Sequence, residues 1–265
     1  VGFVHRAQGV NLMTSFDDSL KKILIVLFTL FSVIVAGCSD DAERQETVTK
    51  LRALGVSQTP VNAKPGDTVA LTYYLAAPAA SVITALPAID GSARYSVPVI
   101  ATPVDAGVTE TNYGALSLYT YRATIVIPNS SVVTGPLMLR GFSRVRSNVE
   151  FSTNTGDRET IVSDTVVYAE GSTQLDWTAP TVDIIAPGST GNAGKLDVEG
   201  SITSTGNESH RIAWFVSSGK IKNRRAKITT WEDAASGEQT LFFTVRGTKS
   251  GAFSIKAINV KLAGG

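Results

Sequence analysis

Cysteine occurs once in the 265 residues, so no disulfide can form within the chain and any β-core must hold by packing alone. Histidine is nearly as scarce. His5 precedes an apolar segment with export features, which leaves His210 as the one histidine beyond that segment and removes most histidine-based metal sites and the usual general base. No charge of one sign dominates either. Once the first 37 residues are set aside, 21 basic residues face 21 acidic ones. That balance excludes a nucleic-acid binder, whose phosphate contacts need a basic excess, and excludes a long acidic tail. Long runs with helical spacing are also missing, so a helical bundle is not expected.

The single long apolar run lies near the start. Lys21 and Lys22 precede Ile23 to Val35, and the small residues Ala36 and Gly37 follow, which is the grammar of an export signal. The run has 13 residues, whereas a helix crossing ~30 Å of hydrocarbon takes about 20, so the segment is expected to be cut away. Met13 is the expected start, and Val1 to Leu12 receive no function. Val35-Ala36-Gly37-Cys38 resembles the lipobox of bacterial lipoproteins. The resemblance implies that Cys38 becomes the first mature residue, that its thiol takes a diacylglyceryl group, and that the new amino terminus is acylated. Small residues before the cut let a peptidase approach the backbone, and a thiol is the nucleophile the modification requires. Two or three acyl chains, at ~0.8 kcal/mol per buried CH₂, hold a membrane essentially permanently. Ser39 after the cysteine resembles the outer-membrane address, although Asp40 follows one step later. The polar stretch beyond Cys38 reads as a solvated tether.

From Thr47 onward the recurring signal is period two, which makes the fold all-β. Val69, Leu71, Tyr73 and Leu75 alternate directly after the turn Lys64-Pro65-Gly66-Asp67; Tyr119, Tyr121, Ala123, Ile125 and Ile127 form a second run. Further strands are expected at Val48–Ser57, Val82–Leu86, Tyr95–Ile100, Leu137–Val145 and Ile161–Ala169, close to the seven of an immunoglobulin-like sandwich. Asp176 to Pro180 interrupts the pattern and marks a boundary. A second set then follows at Leu196–Ile202, Arg211–Val216, Ala226–Trp231, Thr240–Arg246 and Phe253–Leu262, with Trp214 as its expected core tryptophan. The alternation of Phe253, Ile255 and Ala257 slips before Ile258, Val260 and Leu262, which predicts a β-bulge. Leu51 to Leu71 resembles the first two strands of immunoglobulin-like domains in bacterial surface lipoproteins, and Trp214 to Arg246 is similar to immunoglobulin or PKD-type repeats of secreted bacterial proteins. The expected organisation is an upstream segment and signal peptide over 1–37, a lipidated cysteine and tether over 38–46, and two tandem immunoglobulin-like β-sandwiches over 47–177 and 181–265.

Few residues suggest chemistry. Ser217 and Lys220 match Ser-x-x-Lys, but Gly219 breaks any helix between them and the usual partner motifs are absent. Gly141-Phe142-Ser143 lacks the second glycine of a nucleophile elbow. Asp176, Asp183 and Asp197 lack the spacing of a calcium loop and read as turn residues. No cofactor, metal or catalytic residue is therefore expected. Lys220, Lys222, Arg224, Arg225 and Lys227 put five cations within eight residues; they are the candidate anion or partner docking residues, but with no aromatic platform interleaved the favoured reading is that they keep an edge strand from pairing with other chains. Arg140, Arg144 and Arg146 form a second, smaller group with the same two readings. Tyr73, Tyr74, Tyr113, Tyr119 and Tyr121 would line a glycan-binding face if exposed, and are otherwise core. The chain is thus expected to be a non-enzymatic lipoprotein of the bacterial outer membrane, a spacer or interaction module for an envelope protein or glycan. The rivals are an accessory subunit of a secretion or surface-assembly complex, docking through the basic hairpin, and a β-sandwich hydrolase.

Overall fold

The computed structural model describes residues 46–89, 96–105, 107–129, 142–168, 177–204 and 208–264. The leader, Cys38, the tether through residue 45, Arg140 and Asp176 lie outside them, as does the Leu137–Gly141 part of one predicted strand.

The first half folds as β1 (Arg52–Thr59), β2 (Asn62–Ala63), β3 (Thr68–Pro78), β4 (Ile83–Ala88), β5 (Val97–Pro98), β6 (Thr102–Pro103), β7 (Thr109–Asn112), β8 (Leu116–Val126), β9 (Phe142–Thr153) and β10 (Arg158–Tyr168). One sheet runs β1-β3-β8-β6 with β7 also on β8, and its partner runs β2-β10-β9-β4 with β5 also on β9. Read as immunoglobulin strands, these are A-B-E-D facing G-F-C. The first strand changes sheets: β1 pairs antiparallel with β3, and after a cis Thr59-Pro60 peptide β2 pairs parallel with β10.

The second half repeats the scheme with β11 (Thr181–Ala186), β12 (Thr190–Asn192), β13 (Gly194–Thr203), β14 (His210–Val216), β15 (Lys220–Ile221), β16 (Ile228–Ala234), β17 (Gly237–Gly247) and β18 (Phe253–Ala263). Its sheets run β11-β13-β16-β15 and β12-β18-β17-β14, again A-B-E-D facing G-F-C, with β12 parallel to β18. The fold is all-β, two immunoglobulin-like sandwiches, as the sequence pattern predicts.

Period-two patterning explains the first core. Val69, Leu71, Tyr73 and Leu75 of β3 and Tyr119, Tyr121, Ala123 and Ile125 of β8 all point inward and are buried. The turn before β3 sets their register: Gly66 supplies the left-handed φ of 87°, Asp67 donates its N–H to the Lys64 carbonyl at 3.1 Å, and the Asp67 carboxylate accepts from the Lys64 N–H at 2.8 Å. Strand β9 extends well past the predicted Val145, because its inward positions include Ser143 and Ser147, hydroxyls that interrupt the apolar alternation.

Neither sandwich has the disulfide that commonly ties strand B to strand F. In the first, the Tyr73 and Ser147 hydroxyls share a buried hydrogen bond of 3.2 Å between β3 and β9, with Tyr121 and Phe151 rings around it. Burial raises the Tyr73 phenol from its usual 10.0 to about 12, against the opposing Ser147 bond. A raised folded value means that the stability tied to a neutral Tyr73 is complete below the unfolded pKa of about 10 and is lost as pH rises toward the folded one. Tyr119, Tyr121 and Tyr168 are shifted in the same direction by burial. Tyr73→Phe is therefore expected to flatten part of the alkaline decline in urea midpoint while lowering stability at neutral pH by about 1 kcal/mol through the lost hydrogen bond.

In the second sandwich Trp214 of β14 is fully buried, as expected for strand C, and donates its indole N–H to the Ala226 carbonyl at 2.8 Å. The Phe243 ring of β17 stacks on it at 4.2 Å. Phe243 also fills the space above Gly200 of β13, where an added Cβ would lie 2.6 Å from the ring. A large side chain on strand F and a bare backbone on strand B thus occupy the place of a cystine.

A third core joins the two sandwiches face to face. Leu54, Tyr74, Ala76, Leu116 and Leu118, on the outer face of the β1-β3-β8 sheet, pack with Phe215, Phe242, Ile255 and Ala257, on the outer face of the β14-β17-β18 sheet. Polar contacts frame this core. The Thr240 hydroxyl donates to the Tyr113 carbonyl at 2.8 Å and accepts the Leu116 N–H at 3.0 Å, while Val216 and Glu46 to Val48 exchange backbone hydrogen bonds. Gly55, under the Phe253 ring, has no room for a side chain. The predicted bulge in β18 is corrected here. Its register against β17 is unbroken from Phe253 to Leu262, and the apolar face changes because the partner changes: Phe253, Ile255 and Ala257 face the first sandwich, whereas Ile258, Val260 and Leu262 face their own.

Candidate functional site

The basic segment lies along an edge. Lys220 sits on β15, the last strand of its sheet, and its ammonium lies 3.6 Å from both Glu232 and Asp233. One of the five cations is therefore already countered. Lys222, Arg224, Arg225 and Lys227 ride on the turn between β15 and β16. This turn is well held: Ala226 donates to the Asn223 carbonyl at 3.2 Å, the Thr229 hydroxyl accepts from the Asn223 N–H at 2.9 Å, and the Ala226 carbonyl receives the Trp214 indole. The segment 220–227 itself contains no aromatic residue.

Other sequence candidates are placed plainly. Ser217 donates to Gln239 at 2.7 Å and accepts the Thr240 N–H at 2.9 Å, while Lys220 faces carboxylates, so Ser217 and Lys220 do not form a catalytic pair. His210 has its Nε2 buried without a hydrogen-bond partner among the described residues, and the nearby Ser250 hydroxyl is committed to Glu208 at 2.5 Å. Asp183 is held by Lys256 at 3.0 Å and by the Ile184 N–H, and the Lys256 bond leads in lowering its pKa. Among the described residues, no three His, Cys, Asp or Glu side chains gather as metal ligands do. The five tyrosines do not make a glycan-binding face. Tyr73, Tyr119 and Tyr121 are buried in the first core, and Tyr74 and Tyr113 pack against the third.

A different site emerges between the sandwiches. Arg144 on β9, Arg211 on β14 and Arg246 on β17 line one cleft of about 350 Å³, floored by Asp164 and Val166 of β10 and closed by the loop Gly247–Gly251. The partner of Arg146 is Asp164, at 2.7 Å from Nε and 3.0 Å from Nη2, so both oxygens of the cleft's acidic residue are engaged by a fourth arginine. Desolvation lowers the Arg246 pKa; Asp164 opposes this, and the like charges of Arg144 and Arg211 reinforce it. Glu208 holds the loop from behind, accepting from the Lys249 and Ser250 N–H groups at 2.9 and 3.1 Å. Burial would raise that carboxyl, but the Ser250 hydroxyl, the two N–H groups and neighbouring His210 together hold it below the usual value. A Cβ at Gly247 would fall on Glu208 and Ser250. From the first sandwich, Gln58 reaches the Ser250 carbonyl at 3.5 Å and accepts from the Thr165 hydroxyl at 3.0 Å. A smaller groove of about 70 Å³, walled by Val56, Ile161 and Val162, shares Asp164, Arg246 and Gly251 with the cleft.

Sequence reasoning finds Arg144 but not its companions, which come from strands of the other sandwich. Only the face-to-face packing brings the three together.

No protein-family model and no curated protein matches the chain. Among solved structures it is similar to the fibronectin(III)-like modules of Clostridium thermocellum CbhA, at 14% identity and a TM-score of 0.31, covering 79% of this chain and 94% of that one. The titin domains Z1Z2 in complex with telethonin match at 15% identity and 0.25, covering 83% and 99%. Yersinia pseudotuberculosis InvD matches at 14% and 0.23, covering 80% and 57%. The fold assignment rests on the strand order and packing of the chain itself.

Proposed function

We propose that the chain is an envelope lipoprotein that presents two stacked immunoglobulin-like sandwiches as a non-catalytic interaction module close to a bilayer. The observation that carries this reading is the third core. A module built only as a spacer gains length by setting domains end to end, whereas face-to-face stacking gives up length for a rigid, broad block. The export signal and the lipobox resemblance supply the anchor at Cys38, with the outer membrane as its address. Seven residues separate Cys38 from Glu46, whose carbonyl accepts the Val216 N–H at 2.9 Å. In this reading the short polar link keeps the block close to the membrane. The basic turn at 222–227 guards the edge strand β15 in this reading.

Intact-mass analysis of the membrane-extracted protein is expected to show a mature terminus at Cys38 carrying acyl chains. Cys38→Ala is expected to leave the fold intact and move the protein out of the membrane fraction. An unmodified terminus in soluble protein would sink the lipid anchor and leave an exported or intracellular block.

A further inference from the structure

We propose that the cleft walled by Arg144, Arg211 and Arg246 binds a tetrahedral oxyanion ester, a phosphate or sulfate group carried on a larger molecule. Three guanidinium groups from three strands line one opening. Arg144, Arg146, Arg211, Arg246 and Lys249 stand against Asp164 and Glu208 at and beside the cleft, a surplus of three positive charges. Planar arginine forks favour oxygen pairs of carboxylate, phosphate and sulfate over other anions. A single carboxylate has two oxygens to offer, whereas a phosphate or sulfate ester presents three unshared oxygens to donors arriving from different strands. The adjoining groove, with Val56, Ile161 and Val162 beside the shared Arg246, gives the carrier of the ester a less polar path out. The loop that closes the cleft is braced by Glu208, Gln58 and the Gly247 backbone, so this wall of the site is formed before any ligand arrives.

This site is separate from the basic turn at 222–227 and does not depend on the lipid anchor. The test uses the chain from Ser39 onward, without the anchor, titrated calorimetrically with a phosphorylated disaccharide, the same disaccharide sulfated at that position and the unmodified disaccharide. Saturable binding of the phosphorylated or the sulfated sugar, absent for the unmodified one, is expected. Whichever of the two binds better names the ester. Arg211→Ser combined with Arg246→Ser is expected to weaken binding at least about tenfold, and Arg246→Lys, which keeps charge but loses the fork, to weaken it measurably. Changing Lys222, Arg224 and Arg225 together to Ser is expected to leave the affinity unchanged. Near-UV circular dichroism confirms that each variant is folded. Binding that survives the arginine changes, or that follows the turn instead, overturns the proposal; so does the lack of saturable binding to either anion.

Discussion

Phe242→Glu is expected to split one cooperative unfolding transition into two. Strand β17 is buried on both faces: Leu241, Phe243 and Val245 point into the second sandwich, and Phe242 points out of it. The Phe242 ring meets Tyr113 edge-on at 6.2 Å and shares its cluster with Ala76, Leu116 and Leu118 of the first sandwich as well as with Phe215 and Ala257, its cross-strand neighbours, so it ties the two sandwiches together. Losing a buried ring costs about 3–5 kcal/mol. A carboxylate there must also be hydrated, which favours separating the two faces over leaving a buried charge. Each sandwich keeps its own core, so the cost falls on their coupling. Calorimetry should show two resolved endotherms for Phe242→Glu and one for the native block and for Phe242→Leu. A single transition merely shifted downward would mean that Phe242 stabilises the second sandwich itself.

The same strand shows how far the sequence can be read. Alternation locates β3 and β8 because each has one face in a core and one toward solvent or a partner, and Trp214 is recognisable from its place on the third strand of its domain. Thr240-Leu241-Phe242-Phe243-Thr244-Val245 carries no clear alternation, since both of its faces are covered. In β18 the slip after Ala257 records the same fact. A change of partner along a straight strand and a bulge leave the same pattern in sequence, and only the register distinguishes them. The arginine cleft is illegible for a further reason. Arg144, Arg211 and Arg246 lie on separate strands, and nothing in local spacing joins them. The basic run at 220–227 is conspicuous because it is local, yet its first member is countered by Glu232 and Asp233 on the neighbouring strand.

Phe243→Ala should be the most damaging single change in the second sandwich. A disulfide between strands B and F would contribute about 2–4 kcal/mol; here that position holds a phenylalanine stacked on Trp214 at 4.2 Å and seated over Gly200. Removing the ring takes away the stack and leaves a cavity against a glycine that has no side chain to fill it, a loss of about 3–5 kcal/mol. Domains of this size are stable by about 5–15 kcal/mol, so the variant should be close to half unfolded under mild urea. Gly200→Ala should also destabilise the sandwich, from the opposite cause, because its methyl group would press on the Phe243 ring 2.6 Å away. The two costs are not independent. Phe243→Leu, with a smaller side chain, should make room for Gly200→Ala, and the double variant should be more stable than the sum of the single losses by about 1 kcal/mol or more. Urea unfolding followed by tryptophan emission gives all four corners of that cycle. Strict additivity would show that ring and glycine do not share one space, and that the absent disulfide is compensated elsewhere.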